Sequence, residues 1–323
     1  MWLQRSLRDF KFRSYTMKST FVLLWLLPCV ICGAKLPRSK KSHPTSQFAA
    51  TNEEIQNLSK QLYLNDVNRA GNGDIILNLQ HKASSLQTGT GTDFSSQKLF
   101  SHVNEAKLFT RPTFARLISL LDNYVKNTGT LETISNEEIQ EETAFMTEVF
   151  QTAIMKQLSS FFISKGYYTS VESFESDLRE MWFGLYTRSK GSLDSSGFEH
   201  VFHGEIHKGK ISGFHSWVNL YLLEKAGEIN YLSYSSDGPW TSYPDVFTFQ
   251  FKWTTYLKTV GSFFMGSSPE FEFAMYTLCY VTRPDSMCTV KLGDASLKIQ
   301  TYSWPNSSYG SGKRYVASSY PNI

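Results

Sequence analysis

The chain has 323 residues, of which 41% are hydrophobic and 15% aromatic, and this supply of apolar side chains is enough to build a sizeable core. Such a composition excludes an intrinsically disordered chain. The formal net charge of +3 is mildly basic, so it is compatible with a polyanionic partner but does not require one.

The N-terminal region has the pattern of a secretory signal peptide. Met17 precedes a twelve-residue apolar run, 21–32, and small residues follow as far as Ala34. The run is shorter than the roughly 20 apolar residues that a membrane-spanning helix needs. We therefore expect residues 1–34 to comprise an upstream extension and a signal peptide at about Met17–Ala34, and we expect a secreted protein with no stable membrane anchor. A membrane anchor is the alternative, and Met17 is a second candidate for the start of translation.

Secretion determines how the cysteines and two asparagines are interpreted. Cys279 and Cys288 remain after the signal is removed, and an oxidising compartment would allow one disulfide between them. Asn57 and Asn306 begin Asn-X-Ser sequons, which are candidate N-glycosylation sites.

The first half of the mature chain is predicted to be mainly helical. Residues 35–49 are polar and basic with two prolines, and we interpret them as a flexible linker. Apolar residues at helical spacing then predict a helical part over 50–190. Its predicted helices are one within 111–125 that begins near Pro112, one that Ser135 caps and that runs through Ile163, and one across 174–185.

Residues 191–323 consist of shorter segments separated by glycines, which predicts a β-rich part. Residues 245–253 alternate aromatic and polar side chains, as in a half-buried strand. Helices first and strands later indicate an α+β fold, with the helical part packed on the β-rich part. The predicted elements are strands at Phe198–Ile206, Ile229–Ser235, Asp245–Trp253, Thr289–Leu292 and Ser296–Trp304, helices from Phe214 to Gly227 and from Pro269 to about Val281, and a Gly/Ser-rich tail.

Four of the seven histidines lie within sixteen residues, at His200, His203, His207 and His215. Histidine moves protons near neutral pH because its reference pKa is about 6.5. Two imidazoles and a cation form a chemical set that cleaves RNA: one takes the proton of the 2′-hydroxyl, the other protonates the leaving 5′-oxygen, and the cation stabilises the charged phosphorus centre. A strand carrying His200 and a helix start carrying His215 can converge on one cleft, with Lys258 as the candidate cation.

A metal site is the alternative interpretation of the same histidines. In a strand, His203, Glu205 and His207 would share the face opposite His200. Structural zinc sites usually have cysteine and histidine ligands in more regular spacing, however, and solvent-facing strand residues would give the same pattern.

Several long blocks of the sequence resemble one known family. The blocks GFEHVFHGE, SGFHSWVNLYLLEK, YLKTVGSFFMGSSPEFEFAMYTLC, IQTYSW and the upstream FTRPTFARLISLLDNY are similar to those of the EndoU uridylate-specific endoribonucleases. The similarity covers roughly residues 50–323. It implies an α+β fold with two small antiparallel sheets, and a monomer that cleaves single-stranded RNA at uridines to leave a 2′,3′-cyclic phosphate.

The resemblance also implies roles for particular residues. His200, His215 and Lys258 match the family's catalytic triad, and by analogy His215 is the base and His200 the acid. Glu199 and Glu205 match acidic positions that orient an imidazole or help to hold a divalent ion.

Two further positions match the family's substrate contacts, and one departs from its pattern. Tyr302 falls where an aromatic side chain lies against uracil, and Ser262 where a hydroxyl can contact the edge of that base. Stimulation by manganese or calcium is implied as well. His203 stands where the family usually has an apolar or small residue, so its role is left open.

Ordinary structural roles compete with these assignments. Glu199 would then be a surface carboxylate, Lys258 a solvated lysine, Tyr302 a core residue and Ser262 a loop serine. A secreted RNA- or polyanion-binding module without catalysis is the competing function, although all three triad positions are filled. A protease is disfavoured because no G-x-S-x-G motif is present.

Overall fold

A computed structural model describes residues 49–189 and 191–323. The predicted signal peptide, the upstream extension and nearly all of the predicted linker lie outside the described residues. Within the described ranges, no helix is both long enough and apolar enough to cross a membrane.

Helices dominate the first half of the described chain, as predicted. Sequence caps account for several boundaries: Ser135 and Glu138 form a reciprocal capping box, Pro112 occupies the first turn of its helix, and Gly227 ends another with a φ of 83°. The α-helices are α1 (Asn52–Leu64), α2 (Glu105–Leu108), α3 (Pro112–Leu120), α4 (Asn136–Gln151), α5 (Ala153–Ser164), α6 (Val171–Phe183), α7 (Trp217–Ala226) and α8 (Pro269–Thr282).

The single helix predicted from Ser135 through Ile163 is wrong, because the chain breaks at Thr152. This residue has extended backbone angles, φ −71° and ψ 153°, and it ends α4 and caps α5. Its hydroxyl accepts a hydrogen bond from the Met155 N–H, so the break satisfies a free donor of the new helix. The apolar periodicity continues across the break, and for that reason the pattern alone did not reveal it.

The strands form two three-stranded sheets and two two-stranded ribbons, and all named strands pair antiparallel. The α+β prediction is therefore confirmed. The strands are β1 (Ile75–Leu77), β2 (Phe100–Val103), β3 (Glu205–His207), β4 (Lys210–Ser212), β5 (Ile229–Asp237), β6 (Asp245–Trp253), β7 (Tyr256–Met265), β8 (Met287–Leu292), β9 (Ala295–Ser303) and β10 (Val316–Asn322). The sheet orders are β5-β6-β7 and β10-β9-β8, with ribbons β1-β2 and β3-β4.

Two sequence predictions about the β-rich part are corrected, and no element is predicted from the sequence at the position of β7. β10 lies in the segment interpreted as a Gly/Ser-rich tail. β6 is covered on both faces rather than half-buried: Thr248 and Gln250 are buried on its polar face. Gln250 accepts a hydrogen bond from the Gly89 N–H, because the loop before β2 crosses this face.

The helical and β-rich parts share one hydrophobic core. Phe198 and Phe202 stack on each other, and Phe145 and Phe273 meet edge to face within the same cluster. The structure also places the sulfurs of Cys279 and Cys288 at bonding distance, with their Cα atoms 5.5 Å apart, which allows the predicted disulfide between α8 and β8.

Candidate active site

A cleft of about 440 Å³ lies where the sheets β5-β6-β7 and β10-β9-β8 approach the segment between β3 and α7. The structure brings together His200, His215 and Lys258, which the sequence separates by as many as 58 positions. Ser262 and Tyr302 line the same cleft. Five of the seven predicted catalytic, acidic and substrate-contact residues therefore line one cavity.

His200 does not lie on the predicted strand: residues 199–203 form one turn of π-helix, and only Glu205–His207 is strand. All five residues of the turn are buried, so there is no exposed face to produce a strand-like alternation. Gly204 ends the turn with a φ of 88°, and its N–H donates to the Glu199 carbonyl. The π-turn belongs to a class of distortion that is frequent at functional sites.

Gly213 allows a second segment to approach the π-turn. A Cβ atom at this position would lie 1.8 Å from the carbonyl oxygen of His200, and the φ of 64° also favours glycine. The next N–H, that of Phe214, donates to the same carbonyl at 2.9 Å. The absence of a side chain at Gly213 therefore lets the two histidine-bearing segments contact each other directly.

The His200 imidazole is held by a buried carboxylate. Its Nδ1 lies 2.6 Å from Oε2 of Glu205, and Nε of Arg188 lies 3.0 Å from the same oxygen. A carboxylate only accepts hydrogen bonds, so Nδ1 carries the proton and Nε2 is left to exchange protons with a ligand. Burial and the charge of Arg188 lower the pKa of His200 to about 4, against the opposing effect of Glu205.

The His215 imidazole has a different partner. It lies just before Ser216, the N-cap of α7, rather than in the first turn as predicted. Its Nδ1 lies 2.9 Å from the backbone oxygen of Ser262, so this nitrogen is the donor and Nε2 keeps a lone pair. Burial, followed by the charge of Lys258, holds the pKa of His215 well below its ordinary value.

Lys258 lies on β7 and is not a solvated surface residue. Its ammonium group donates to the carbonyl oxygen of Gly213 at 2.6 Å, between the segments that carry the two histidines. Burial lowers the pKa of Lys258 to about 8. The amine is therefore a cation at neutral pH that water screens poorly.

The two residues predicted to contact uracil lie at different depths in the cleft. Ser262 is a buried residue of β7 rather than a loop serine, and its carbonyl positions His215 while its side chain lines the cleft. Tyr302 lies on β9 at the mouth of the cleft and is 47% exposed, so it is not a core residue. An exposed ring beside a polar pocket is suited to stacking on a nucleobase.

Glu199 does not line the cleft and is not a surface carboxylate. It is fully buried, and within the described chain neither of its carboxyl oxygens has a hydrogen-bond partner. Burial, with the nearby charges of Glu205 and Glu132, raises the pKa of Glu199 well above its ordinary value. The environment of Glu199 thus favours the neutral form of its carboxyl, and of the two glutamates it is Glu205 that contacts an imidazole of the candidate triad.

The alternative metal cluster is not assembled. Nδ1 of His203 faces the carbonyl oxygen of Gly204, and Nδ1 of His207 lies 3.0 Å from the hydroxyl of Thr128. His203 is buried against Trp253, so the interpretation of this histidine as solvent-facing is wrong. In the described ranges, no three His, Cys, Asp or Glu side chains are arranged to hold a metal ion. His203, Glu205 and His207 therefore do not form the metal site of that alternative.

Comparison with known protein families identifies the one to which this chain belongs. The sequence model of the family described as Endoribonuclease XendoU matches residues 54–321. The chain belongs to this endoribonuclease family. The sequence-based prediction of an EndoU-family endoribonuclease is therefore confirmed.

Relatives of the XendoU family are similar over most of the chain. Uridylate-specific endoribonuclease D of Xenopus laevis is 67% identical, over 95% of this chain and all of the relative. The uridylate-specific endoribonuclease of Mus musculus is 50% identical, over 85% of this chain and 66% of the relative. A solved structure, described as that of XendoU, a splicing-independent snoRNA processing endoribonuclease, has 37% identity and a TM-score of 0.70. The match covers 84% of this chain and 97% of that one.

Arg188 is a residue of this family member that the sequence analysis missed. Besides its ion pair with Glu205, it donates hydrogen bonds to the hydroxyl of Ser195 and to the backbone oxygen of Ala317 on β10, and its guanidinium lies over the rings of Tyr186 and Trp304. It therefore links the carboxylate behind His200 to the sheet that carries Tyr302. An isolated arginine in a loop gave no signal in the sequence, because Glu205, Ala317 and Trp304 are brought to it only by the folded chain.

Tyr320 was missed because its segment was interpreted as a tail. Its ring stacks on the His215 imidazole, with centroids 4.8 Å apart and an interplanar angle of 14°. It also lies 6.4 Å from the ring of Tyr302. β10 gave little signal in the sequence, because the strand is short and rich in serine, and its residues from Val316 to Ser319 are all buried rather than alternating.

Replacing Tyr320 with leucine is expected to lower kcat/KM about tenfold, as for removal of one desolvated cation–π interaction. A ring stacked on the imidazole would stabilise an imidazolium at His215, so we expect its removal to lower the pKa of His215. The acidic limb of the pH profile should then move to lower pH, and Tyr320→Phe should behave like wild type. An unshifted profile in Tyr320→Leu would show that the ring only fills space.

Proposed function

We propose that the chain is a uridylate-specific endoribonuclease that cleaves single-stranded RNA by transesterification. The observation that carries the proposal is the asymmetry of the two imidazoles in one cleft: His200 contacts a carboxylate, and His215 contacts a neutral carbonyl oxygen. A carboxylate favours imidazolium at His200, whereas burial and the charge of Lys258 favour neutral imidazole at His215, against the opposing effect of the Ser262 carbonyl. The names of the relatives support the preference for uridylate.

The role of each histidine follows from the protonation state that its surroundings stabilise. Nε2 of His215 takes the proton of the 2′-hydroxyl, and the resulting oxygen attacks the adjacent phosphorus. The P–O5′ bond breaks, and Nε2 of His200 donates its proton to the departing oxygen. The products are a 2′,3′-cyclic phosphate and a 5′-hydroxyl, and the ammonium of Lys258 stabilises the negative charge that develops on phosphorus.

We propose that the wall of the cleft formed by Ser262 and Tyr302 selects uridine. Tyr302 offers an aromatic face to the base, and the Ser262 hydroxyl offers a hydrogen bond to its edge. A buried polar contact of this kind disfavours a base that leaves it unpaired.

Secretion, N-glycosylation, a monomeric state and cation stimulation remain proposals. Asn57 and Asn306 are both exposed, which is compatible with glycan attachment. Stimulation by manganese or calcium rests on the resemblance alone, and no step of the mechanism depends on the ion.

The proposal is tested with an oligonucleotide that contains one ribouridine among deoxynucleotides, beside its ribocytidine and riboadenosine versions. Each is incubated with manganese, calcium or EDTA, and the product ends are identified by mass. Uridine-selective cutting that leaves a cyclic phosphate is expected. Folded protein that binds RNA but cuts none of the substrates would contradict the proposal and favour a binding module.

The pH dependence tests the role of Lys258. Because burial lowers its pKa to about 8, the amine loses its charge as the pH rises through that value. We expect kcat/KM to decrease on the alkaline side of the pH profile with an apparent pKa of about 8. Lys258→Arg should keep the charge and remove this limb, even if its maximal rate is lower. The same alkaline limb in the arginine variant would assign the titration to another group.

A further inference from the structure

The sheet β10-β9-β8 has one covered face and one open face. Alternate residues of its strands, such as Leu297, Ile299 and Val290, are buried where the sheet packs on α1 and α8. Directly opposed residues in the antiparallel register share a face, which defines the other side. We call this side the outer face; it comprises Met287, Thr289, Lys291, Ser296, Lys298, Gln300, Tyr302, Ser318, Tyr320 and Asn322.

The outer face is continuous with the active-site cleft. Tyr302, Ser318, Tyr320 and Asn322 belong to both surfaces. From Tyr302 the face runs along β9 through Gln300 to an exposed Lys298, four residues away. At about 3.4 Å per residue this path is about 14 Å long. A nucleotide strand that leaves the cleft along β9 therefore lies over this face.

The charge and side-chain types of the outer face suit a single-stranded polyanion. It carries Lys291 and Lys298 and no acidic residue. Asp294, in the turn between β8 and β9, pairs with Lys60 of α1 at 2.6 Å. Lys298 itself has no carboxylate within ion-pairing distance in the part of the chain that the structure describes.

Groups that contact bases alternate with these lysines. The ring of Tyr302 and the side chain of Met287 are both more than 40% exposed; Gln300 lies opposite Met287, and the Asn322 amide lies 3.6 Å from the Met287 sulfur. Ammonium groups neutralise phosphates, and exposed aromatic and apolar groups stack on unpaired bases. Double-stranded RNA does not present its bases in this way.

We propose that the outer face of β10-β9-β8 is a binding site for the nucleotides that flank the cleaved uridine in single-stranded RNA. The inference rests on the proposed ribonuclease function. Lys298 contacts a phosphate there, and affinity contributed by the face increases with substrate length. The site holds a continuous substrate in register without contacting the reacting atoms.

The test compares two substrates with Lys298→Gln. The minimal substrate is uridine 3′-(4-nitrophenyl phosphate), which occupies only the cleft, and the long one has about a dozen nucleotides with one ribouridine. The variant should keep wild-type kcat/KM on the minimal substrate and decrease it about fivefold on the long one, as for one exposed charge pair. The logarithmic salt dependence of the long substrate should become shallower by about 0.7 for each phosphate that the variant no longer neutralises.

Lys156→Gln is the matched control, since Lys156 is exposed on α5, outside this sheet, and should leave both substrates unaffected. Equal decreases on both substrates in Lys298→Gln, or none on the long one, would overturn the inference. If the wild type cleaves neither substrate, the proposed function itself fails. Binding of a 2′-deoxyuridine version of the long substrate then measures the outer face separately; equal affinity in wild type and Lys298→Gln would overturn the inference there too.

Discussion

His215→Ala is expected to lower kcat/KM for RNA by about 10²- to 10⁴-fold, the usual contribution of one proton-transfer group. His200→Ala should lower it by a similar factor on RNA. The activities of the two variants should differ when the leaving group of the substrate is changed. In uridine 3′-(4-nitrophenyl phosphate) the departing anion is stable without a proton, so His200→Ala should recover most of its activity and His215→Ala should not.

The structural reason for this difference is the partner of each Nδ1. Glu205 makes His200 the easier of the two to protonate, and the phosphate of a bound substrate adds further negative charge nearby. The carbonyl of Ser262 gives His215 no such charge. The rates are measured by 4-nitrophenolate release and by oligonucleotide cleavage, with thermal unfolding as the check on folding. Recovery by His215→Ala instead would reverse the roles, and full activity in either variant would reject the triad.

Glu205→Gln is expected to lower kcat/KM on RNA by about 10²-fold, because the general acid is lost. We expect a much smaller decrease of kcat/KM on the 4-nitrophenyl substrate. The carboxylate raises the pKa of His200, so its removal lowers that pKa and leaves less imidazolium at neutral pH. The activity optimum on RNA should therefore move to lower pH. If Glu205 acted only through packing, kcat/KM would decrease equally on both substrates and the pH profile would be unchanged.

The same substitution is expected to destabilise the fold by about 3 kcal/mol, because it leaves the buried guanidinium of Arg188 without its carboxylate. Urea unfolding measures this decrease. Glu228→Gln is a suitable control, since Glu228 lies at the protein surface and its ion pair with Lys126 is loose at 3.9 Å. The glutamine can still accept the hydrogen bond from Nε1 of Trp253. An unchanged unfolding midpoint in Glu205→Gln would show that the Arg188–Glu205 pair is not needed for stability.

Arg188 shows how the catalytic cleft is assembled from distant segments. Through Glu205 it supports His200, and through the carbonyl of Ala317 it contacts β10, the strand that brings Tyr320 onto His215. Groups that contact the two imidazoles are thus connected through one arginine. Neither the arginine nor the connection is visible as a motif.

The sequence by itself determined the elements whose signals are local. Pro112, the Ser135–Glu138 capping box, Gly227 and Pro269 mark helix ends because they satisfy or remove backbone groups within one turn. The residue types of the candidate triad, and the family to which they belong, were also evident from the sequence.

Tertiary structure decided the rest, because the deciding contacts lie far apart along the chain. The π-turn at 199–203 depends on burial from all sides and on the approach of Gly213, so a pattern of aromatic and β-branched residues was taken for a strand. β10 becomes a strand because it pairs with β9. The different environments of His200 and His215 arise from Glu205, Arg188, Ser262 and Tyr320, a set that only the folded chain brings together.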